Sequence, residues 1–280
     1  MSAEHEETHD HDRGLQFDLS TLMTRRRALG LAALGGLGVV IGCGSSSEGS
    51  AGGTTTASAS ATTPATTDEA AAAAAEIPEE TAGPFPADGS NGVNVLTESG
   101  VVRSDIVSSF GSASGTAEGV PMALEMTIID VAGGGGVLPG AAVYVWHCDR
   151  DGRYSLYEAE VADQNYLRGV QEAGADGAVR FTSIWPGAYS GRWPHVHFEV
   201  YPSLAEATGG GAKLATSQIA LPEEASTQVY ATAGYEQSVR NLAGTSLAGD
   251  MVFSDGYSAQ LGTASGSPAH GMAVSLNVGV

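Results

Sequence analysis

The chain has 280 residues, which is enough for one large β domain or two smaller ones. Its formal charge is −20, with 12 Lys and Arg against 32 Asp and Glu, so nucleic acid and anionic membrane surfaces are poor electrostatic partners. Aromatic residues make up only 6% of the chain, and glycine is abundant at 39 residues.

Residues 1–22 are polar and mostly acidic, with His5, His9 and His11. They read as a solvated leader, with a metal-binding tail as the alternative. Arg25, Arg26 and Arg27 precede an apolar run from Ala28 to Ile41. That run is too short to span a bilayer comfortably, and its basic flank gives it the form of a signal peptide. The adjacent arginines resemble a twin-arginine export signal. Val40-Ile41-Gly42-Cys43 is similar to a bacterial lipobox, with Cys43 as the lipidated first residue of the mature chain. The expectation is an exported cell-envelope lipoprotein on the outer face of a bacterial cytoplasmic membrane. A buried helix or uncleaved anchor is the alternative. Residues 44–76 are Gly, Ser, Thr and Ala with almost no large apolar side chains. Such a stretch cannot bury a core and is expected to be a disordered tether.

A single domain is expected over residues 77–280. Strand character appears at Leu124–Val131, Ala141–Trp146, Ala178–Ile184, His195–Tyr201, Leu214–Leu221, Met251–Phe253 and Met272–Val278. Gly133–Gly136, Pro139-Gly140, Asp176-Gly177 and Gly209–Gly211 punctuate them as turns. Ser226–Ala243 is the best helix candidate, with Ser226 as its N-cap. Short strands, Gly/Pro turns and little helix predict an all-β fold: an antiparallel β-sandwich with long loops and a short C-terminal helix. With Cys43 assigned to the lipobox, Cys148 stands alone, so no intrachain disulfide is expected.

The chemistry concentrates in Trp185–Val200. This stretch holds Tyr189, Arg192, His195 and His197. If His195–Val200 is a strand, the two histidines share one face and Val196 and Phe198 share the other. Two imidazoles side by side on a rigid strand form a chelating pair. Tyr189, one short loop upstream, adds an oxygen donor. A phenol ionises only near pH ~10, so a tyrosine ligand favours a hard trivalent ion such as Fe(III) over zinc or ferrous iron. Upstream, Trp146-His147-Cys148-Asp149-Arg150-Asp151-Gly152-Arg153-Tyr154 supplies a second tyrosine, with Tyr157 and Tyr166 as rival phenols nearby. Taken singly, a His-x-His pair is equally a structural or zinc-binding feature, and Tyr189 equally a packed core residue. His147 alternates to the opposite face from Trp146 and is not read as a ligand, and His270 lies in a Gly/Ser/Pro-rich loop.

Read together, Trp146…Gly152-Arg153-Tyr154, Pro186-Gly187-Ala188-Tyr189 and Arg192-x-x-His195-x-His197 resemble the intradiol ring-cleavage dioxygenases, the ferric catechol, hydroxyquinol and protocatechuate enzymes. The resemblance covers roughly residues 77–222, and Glu80-Thr81-Ala82-Gly83-Pro84-Phe85-Pro86 also fits it. It implies a β-sandwich, a non-haem Fe(III) held by Tyr154, Tyr189, His195 and His197, and no nicotinamide or flavin. It implies that Arg192 stabilises negative charge on the substrate ring and that Tyr189 is the exchangeable ligand and base. Gln218 and Trp146 are implied as substrate-pocket residues, although Trp146 and Trp193 equally read as wall or core. The implied reaction uses O2 to cleave a small aromatic diol between its two hydroxyls, giving a cis,cis-muconate-type product.

Two other readings stand beside this one. One is a non-catalytic exported β-sandwich that binds an aromatic ligand or an envelope partner. The other is a zinc hydrolase using His195, His197 and a carboxylate such as Glu199, which shares the strand face of His197.

Overall fold

The structure, a computed structural model, describes residues 75–280. The leader, the lipobox with Cys43 and nearly all of the tether lie outside the described residues. The described chain joins the fold at once, because Glu76 bridges Gly279 and the Ile77 amide donates to the Gly279 carbonyl.

Two sheets form the sandwich. The larger contains β1 (Pro121–Asp130), β2 (Gly136–Val137), β5 (Ala178–Ile184), β8 (Thr263–Ser267) and β9 (Gly271–Gly279). The smaller has the order β4-β3-β6-β7, with β3 at Ala142–Trp146, β4 at Arg168–Glu172, β6 at His195–Tyr201 and β7 at Ala215–Ala220. β5 and β6 match their sequence-based bounds. β4 and β8 were not expected. β4 is Arg-Gly-Val-Gln-Glu, with Val170 its one large apolar side chain, and β8 is Thr-Ala-Ser-Gly-Ser with none.

The expected β-sandwich is present and its strand pairings are antiparallel except for one. β9 runs parallel to β1 over eight residue pairs, Met122–Met272 to Ile129–Gly279. A terminal strand that returns after a long excursion is not bound by the hairpin geometry that forces antiparallel pairing. The helical content also differs. α1 (Leu204–Gly209) ends at Gly210, whose φ of 76° gives a left-handed cap. The single helix expected over Ser226–Ala243 is two, α2 (Glu223–Tyr230) and α3 (Glu236–Ala243). Ser226 does not cap. Pro222 holds the N-cap position without a side-chain cap hydrogen bond, and Glu223 and Glu224 place negative charge in the first turn of α2, where the helix dipole favours it. Gly234, at φ +91°, turns the chain between the two helices. The strand expected at Met251–Phe253 is a turn. The Asp250 carboxylate accepts from the Val252 and Phe253 amides, and this local bonding competes with a ladder.

The core lies between the sheets. β1 sends in Met122, Leu124, Met126 and Ile128, β3 sends Val143 and Val145, and β6 sends Val196, Phe198 and Val200. Each such side chain contributes about 1.5–3 kcal/mol when fully buried. β6 is buried at every position because its other face is covered too. There a second cluster joins Tyr144, Trp146, Tyr154 and Tyr201 to Ala87, Val95, Leu96 and Val101 of the N-terminal segment. The chemically interesting face of β6 is therefore the outer face of the smaller sheet, roofed by loops.

Candidate metal centre

β6 places His195, His197, Glu199 and Tyr201 on this roofed face, as period-2 alternation requires. The antiparallel register sets Trp146 of β3 opposite His197 on one side and Gln218 of β7 opposite it on the other. The His197 and Trp146 rings stack with centroids 4.9 Å apart and planes 5° from parallel.

The two tyrosines arrive on separate loops. After β3, Asp149 organises a tight turn: its carboxylate accepts from the Asp151 and Arg153 amides and from the Arg153 guanidinium. Gly152, at φ +88°, takes the left-handed position in that turn, and Tyr154 follows. After β5, Gly187 packs directly on the Asp149–Arg150 backbone, where a Cβ would collide with both carbonyl oxygens. The Gly187 amide donates to the Asp149 carbonyl at 3.0 Å. This close approach brings Tyr189 over Tyr154.

Four donors converge as a result. His195 Nε2 lies 3.1 Å from His197 Nε2, 3.1 Å from the Tyr189 hydroxyl and 3.4 Å from the Tyr154 hydroxyl. The two hydroxyls are 3.4 Å apart. Ligands held about 2.1 Å from one ion sit roughly 3.0–3.4 Å from one another, so the spacing is that of a coordination shell. His195 Nδ1 lies 2.5 Å from the Trp193 carbonyl oxygen. Nδ1–H is therefore the donor, and the Nε2 lone pair faces inward.

The electrostatics fit a cation. Burial, with the Arg192 charge adding to it, lowers the His195 pKa to about 3. Burial and the neighbouring His195 hold His197 well below its usual value. Burial, reinforced by Tyr189, pushes the Tyr154 phenol well above its usual range. The site thus disfavours imidazolium and, on its own, phenolate. It offers neutral imidazoles, and a highly charged cation is what would displace the phenol protons. Two nitrogens and two phenolic oxygens suit a hard trivalent metal such as Fe(III).

Arg192 is almost fully buried beside this cluster. Its Nε donates to Asp250 at 3.0 Å and its Nη2 to the Gln218 side-chain oxygen at 2.7 Å. Gln218 in turn donates to the Thr81 carbonyl, tying the N-terminal segment to β7. Trp146 is fully buried, with Tyr144 stacked on it at 5.0 Å, so it backs His197 from behind the donor cluster.

The other candidates lie elsewhere. Tyr157 bonds Asn91 and the Ala87 amide, and Tyr166 bonds Asp149. His147 pairs with Ser183, and Cys148 is buried with its thiol 3.4 Å from the Gly187 carbonyl. Glu199 turns to Lys213 at 2.5 Å and to the Tyr201 hydroxyl at 2.6 Å. Among the described residues no three His, Cys, Asp or Glu side chains gather to hold a metal. The zinc-hydrolase reading therefore lacks its carboxylate.

Two supporting residues gave no motif signal. Arg168 is fully buried and donates to the Phe85 and Pro86 carbonyls, the Tyr144 hydroxyl, and the Ser155 hydroxyl and carbonyl. It fastens the N-terminal segment to the loop bearing Tyr154. Asp250 reaches Arg192 from 58 residues away in sequence.

Residues 101–205 match the family model described as Dioxygenase. A chlorocatechol 1,2-dioxygenase from Rhodococcus opacus is 40% identical over 52 residues, which is 19% of this chain and 20% of that protein, so the shared stretch spans about a fifth of the curated relative. An intradiol ring-cleavage dioxygenase from Tetranychus urticae superposes with a TM-score of 0.54 at 23% identity, over 65% of this chain and 87% of that one. The chain is thus similar to the dioxygenase family over the segment that holds all four donors, and it shares the sandwich fold of an intradiol ring-cleavage dioxygenase.

Proposed function

We propose that the protein is a non-haem Fe(III) dioxygenase that opens the ring of a catechol-type diol between its two hydroxyls, using O2 and giving a cis,cis-muconate-type product. The observation that carries this reading is the approach of two phenols and two imidazoles to 3.1–3.4 Å around His195 Nε2. The similarity of residues 101–205 to the dioxygenase family supports it.

Tyr154, Tyr189, His195 and His197 would hold the ion. Bound Fe(III) would supply Lewis acidity toward the two substrate oxygens and draw electron density from the ring. The protein's own groups have separable tasks. Trp193 and Trp146 fix the two imidazoles, one by a hydrogen bond and one by stacking. Tyr154 is buried beneath the Phe85 ring at 5.1 Å, whereas Tyr189 is the one donor residue of the four that reaches solvent. Tyr189 is therefore placed to take the proton of an incoming hydroxyl. Arg192 keeps its charge when buried and sets it against an electron-rich ring.

The test is oxygen uptake by the iron-loaded protein with catechol, hydroxyquinol and protocatechuate, with identification of the product. Uptake with a muconate-type product supports the reading. No uptake with any of the three, or cleavage beside the diol, refutes it. We also propose export and lipid attachment at Cys43, supported by the arginine-flanked apolar run and Val40-Ile41-Gly42-Cys43. Mass spectrometry of the membrane fraction from a bacterial host would show a diacylglyceryl adduct on Cys43. An unmodified, unprocessed chain would refute it.

A further inference from the structure

We propose that Asp250 is a positioning residue for the ring-cleavage reaction, holding the Arg192 guanidinium in its working orientation from a C-terminal segment outside the family-matched residues. The inference rests on the functional reading above. It goes beyond that reading by assigning a task to residues 247–253, which lie past position 205.

The geometry is specific. The Asp250 and Arg192 side chains are 0% and 1% exposed, so neither is held by solvent. One carboxylate oxygen, Oδ2, accepts from Arg192 Nε at 3.0 Å and from the Trp193 amide at 2.7 Å. The other, Oδ1, accepts from the Val252 and Phe253 amides at 2.8 and 3.3 Å. Both oxygens are therefore engaged, and the carboxylate cannot rotate without losing bonds. Gln218 takes Arg192 Nη2 on another edge of the guanidinium. A planar fork gripped at two points has a fixed plane.

The charge bookkeeping makes the role positional. A buried arginine with no counterion carries a large desolvation cost, and a carboxylate relieves it. The same carboxylate weakens the positive field felt by a substrate. Its benefit to the reaction must then come from direction rather than from added charge. Asparagine cannot replace it cleanly, because one of the two oxygen positions becomes an NH2 facing two N–H donors.

The experiment compares full-length wild type, Asp250→Asn, Asp250→Ala, Arg192→Met and the Arg192→Met/Asp250→Asn double variant, all loaded with iron. Iron content, the visible phenolate-to-iron band, kcat and KM are measured for each. The Asp250 variants are expected to keep iron content and band, because Asp250 touches none of the four donor side chains. Their kcat should fall about tenfold to a hundredfold, with KM changing less. In the Arg192→Met background, Asp250→Asn should lower kcat no further. Three results would overturn the inference: kcat within twofold of wild type, a band lost together with turnover, or an equal kcat loss with and without Arg192. Failure of the wild type itself to bind iron or consume oxygen would instead refute the functional reading.

Discussion

The imidazole of His197 lies flat on the indole of Trp146, with centroids 4.9 Å apart and planes 5° from parallel. The cross-strand register makes this pairing, since Trp146 and His197 are directly opposite on β3 and β6. The indole fixes the ring plane of a residue whose Nε2 must point at a shared centre. Trp146→Ala should cost about 3–5 kcal/mol of stability from the cavity and lost packing. It should also weaken iron binding. Trp146→Phe should keep stacking and iron, and it removes a buried indole N–H that lacks a partner. Denaturant midpoints and iron titrations of both variants check this. Equal iron affinity in the Ala variant would show that the stack orients nothing.

Gly187 sets the separation of the two tyrosine loops. One of its Cα hydrogens faces the Asp149 and Arg150 carbonyls, and a methyl in its place would lie 2.4 Å from the Arg150 carbonyl oxygen and force the loops apart. Gly187→Ala should destabilise the protein by about 1–3 kcal/mol through overpacking. The larger effect should be on the site, because Tyr189 moves relative to Tyr154. The measurement is the visible band at saturating iron, which should shift and weaken in the variant.

The Tyr154 hydroxyl contributes little to the metal-free fold, in contrast to its ring, which packs in the second core cluster. Its hydroxyl has only long contacts, 3.4 Å to Tyr189 and 3.4 Å to His195, both of them members of the donor set. Removing a buried hydroxyl that makes no good bond is close to neutral. Tyr154→Phe should therefore unfold within about 1 kcal/mol of wild type without metal, yet bind iron far more weakly. A large loss of metal-free stability with unchanged iron binding would mark it as a structural tyrosine.

The pH response of the metal-free protein follows from its buried groups. His147, His195 and His197 all have lowered pKa values in the fold, at about 4, about 3 and well below 6.5, each chiefly through burial. Between about pH 4.5 and 6.5 the unfolded chain binds these three protons and the folded chain does not. Stability from these groups is present above pH 6.5 and is lost on acidification. Glu80 and Glu199 oppose this. Burial raises both to about 7, so the folded chain holds their protons as pH rises above 4.5. Three imidazoles against two carboxyls leave roughly one net proton, or about 1.4 kcal/mol per pH unit. Denaturant midpoints should fall from pH 6.5 to 4.5 and fall more steeply just below 4.5. Unchanged or rising midpoints would contradict the assignment.

The sequence made β6 and its two-faced character readable, because His195, His197 and Glu199 alternate with Val196, Phe198 and Val200. Tyr154 and Tyr189 were legible through the family resemblance of their motifs, Gly152-Arg153-Tyr154 and Pro186-Gly187-Ala188-Tyr189, whose glycines turn out to sit in turns with closely approaching backbones. The roof over the site was not legible. Arg168 and Asp250 look like ordinary surface charges in the sequence, and only tertiary placement surrounds them with carbonyls and amides. The same blindness turned Met251–Phe253 into a strand, since apolar spacing says nothing of the Asp250 carboxylate that folds it into a turn. The break between α2 and α3 was hidden for a similar reason: Gly234 sits inside an otherwise helical composition.

The central claim is that these four side chains share one ferric ion, and visible absorption during a ferric iron titration of the full chain tests it most directly. The account predicts a phenolate-to-iron charge-transfer band that grows to one equivalent and stops, and that changes in both Tyr154→Phe and Tyr189→Phe. A protein that stays colourless through one equivalent, or a band indifferent to both substitutions, would contradict it.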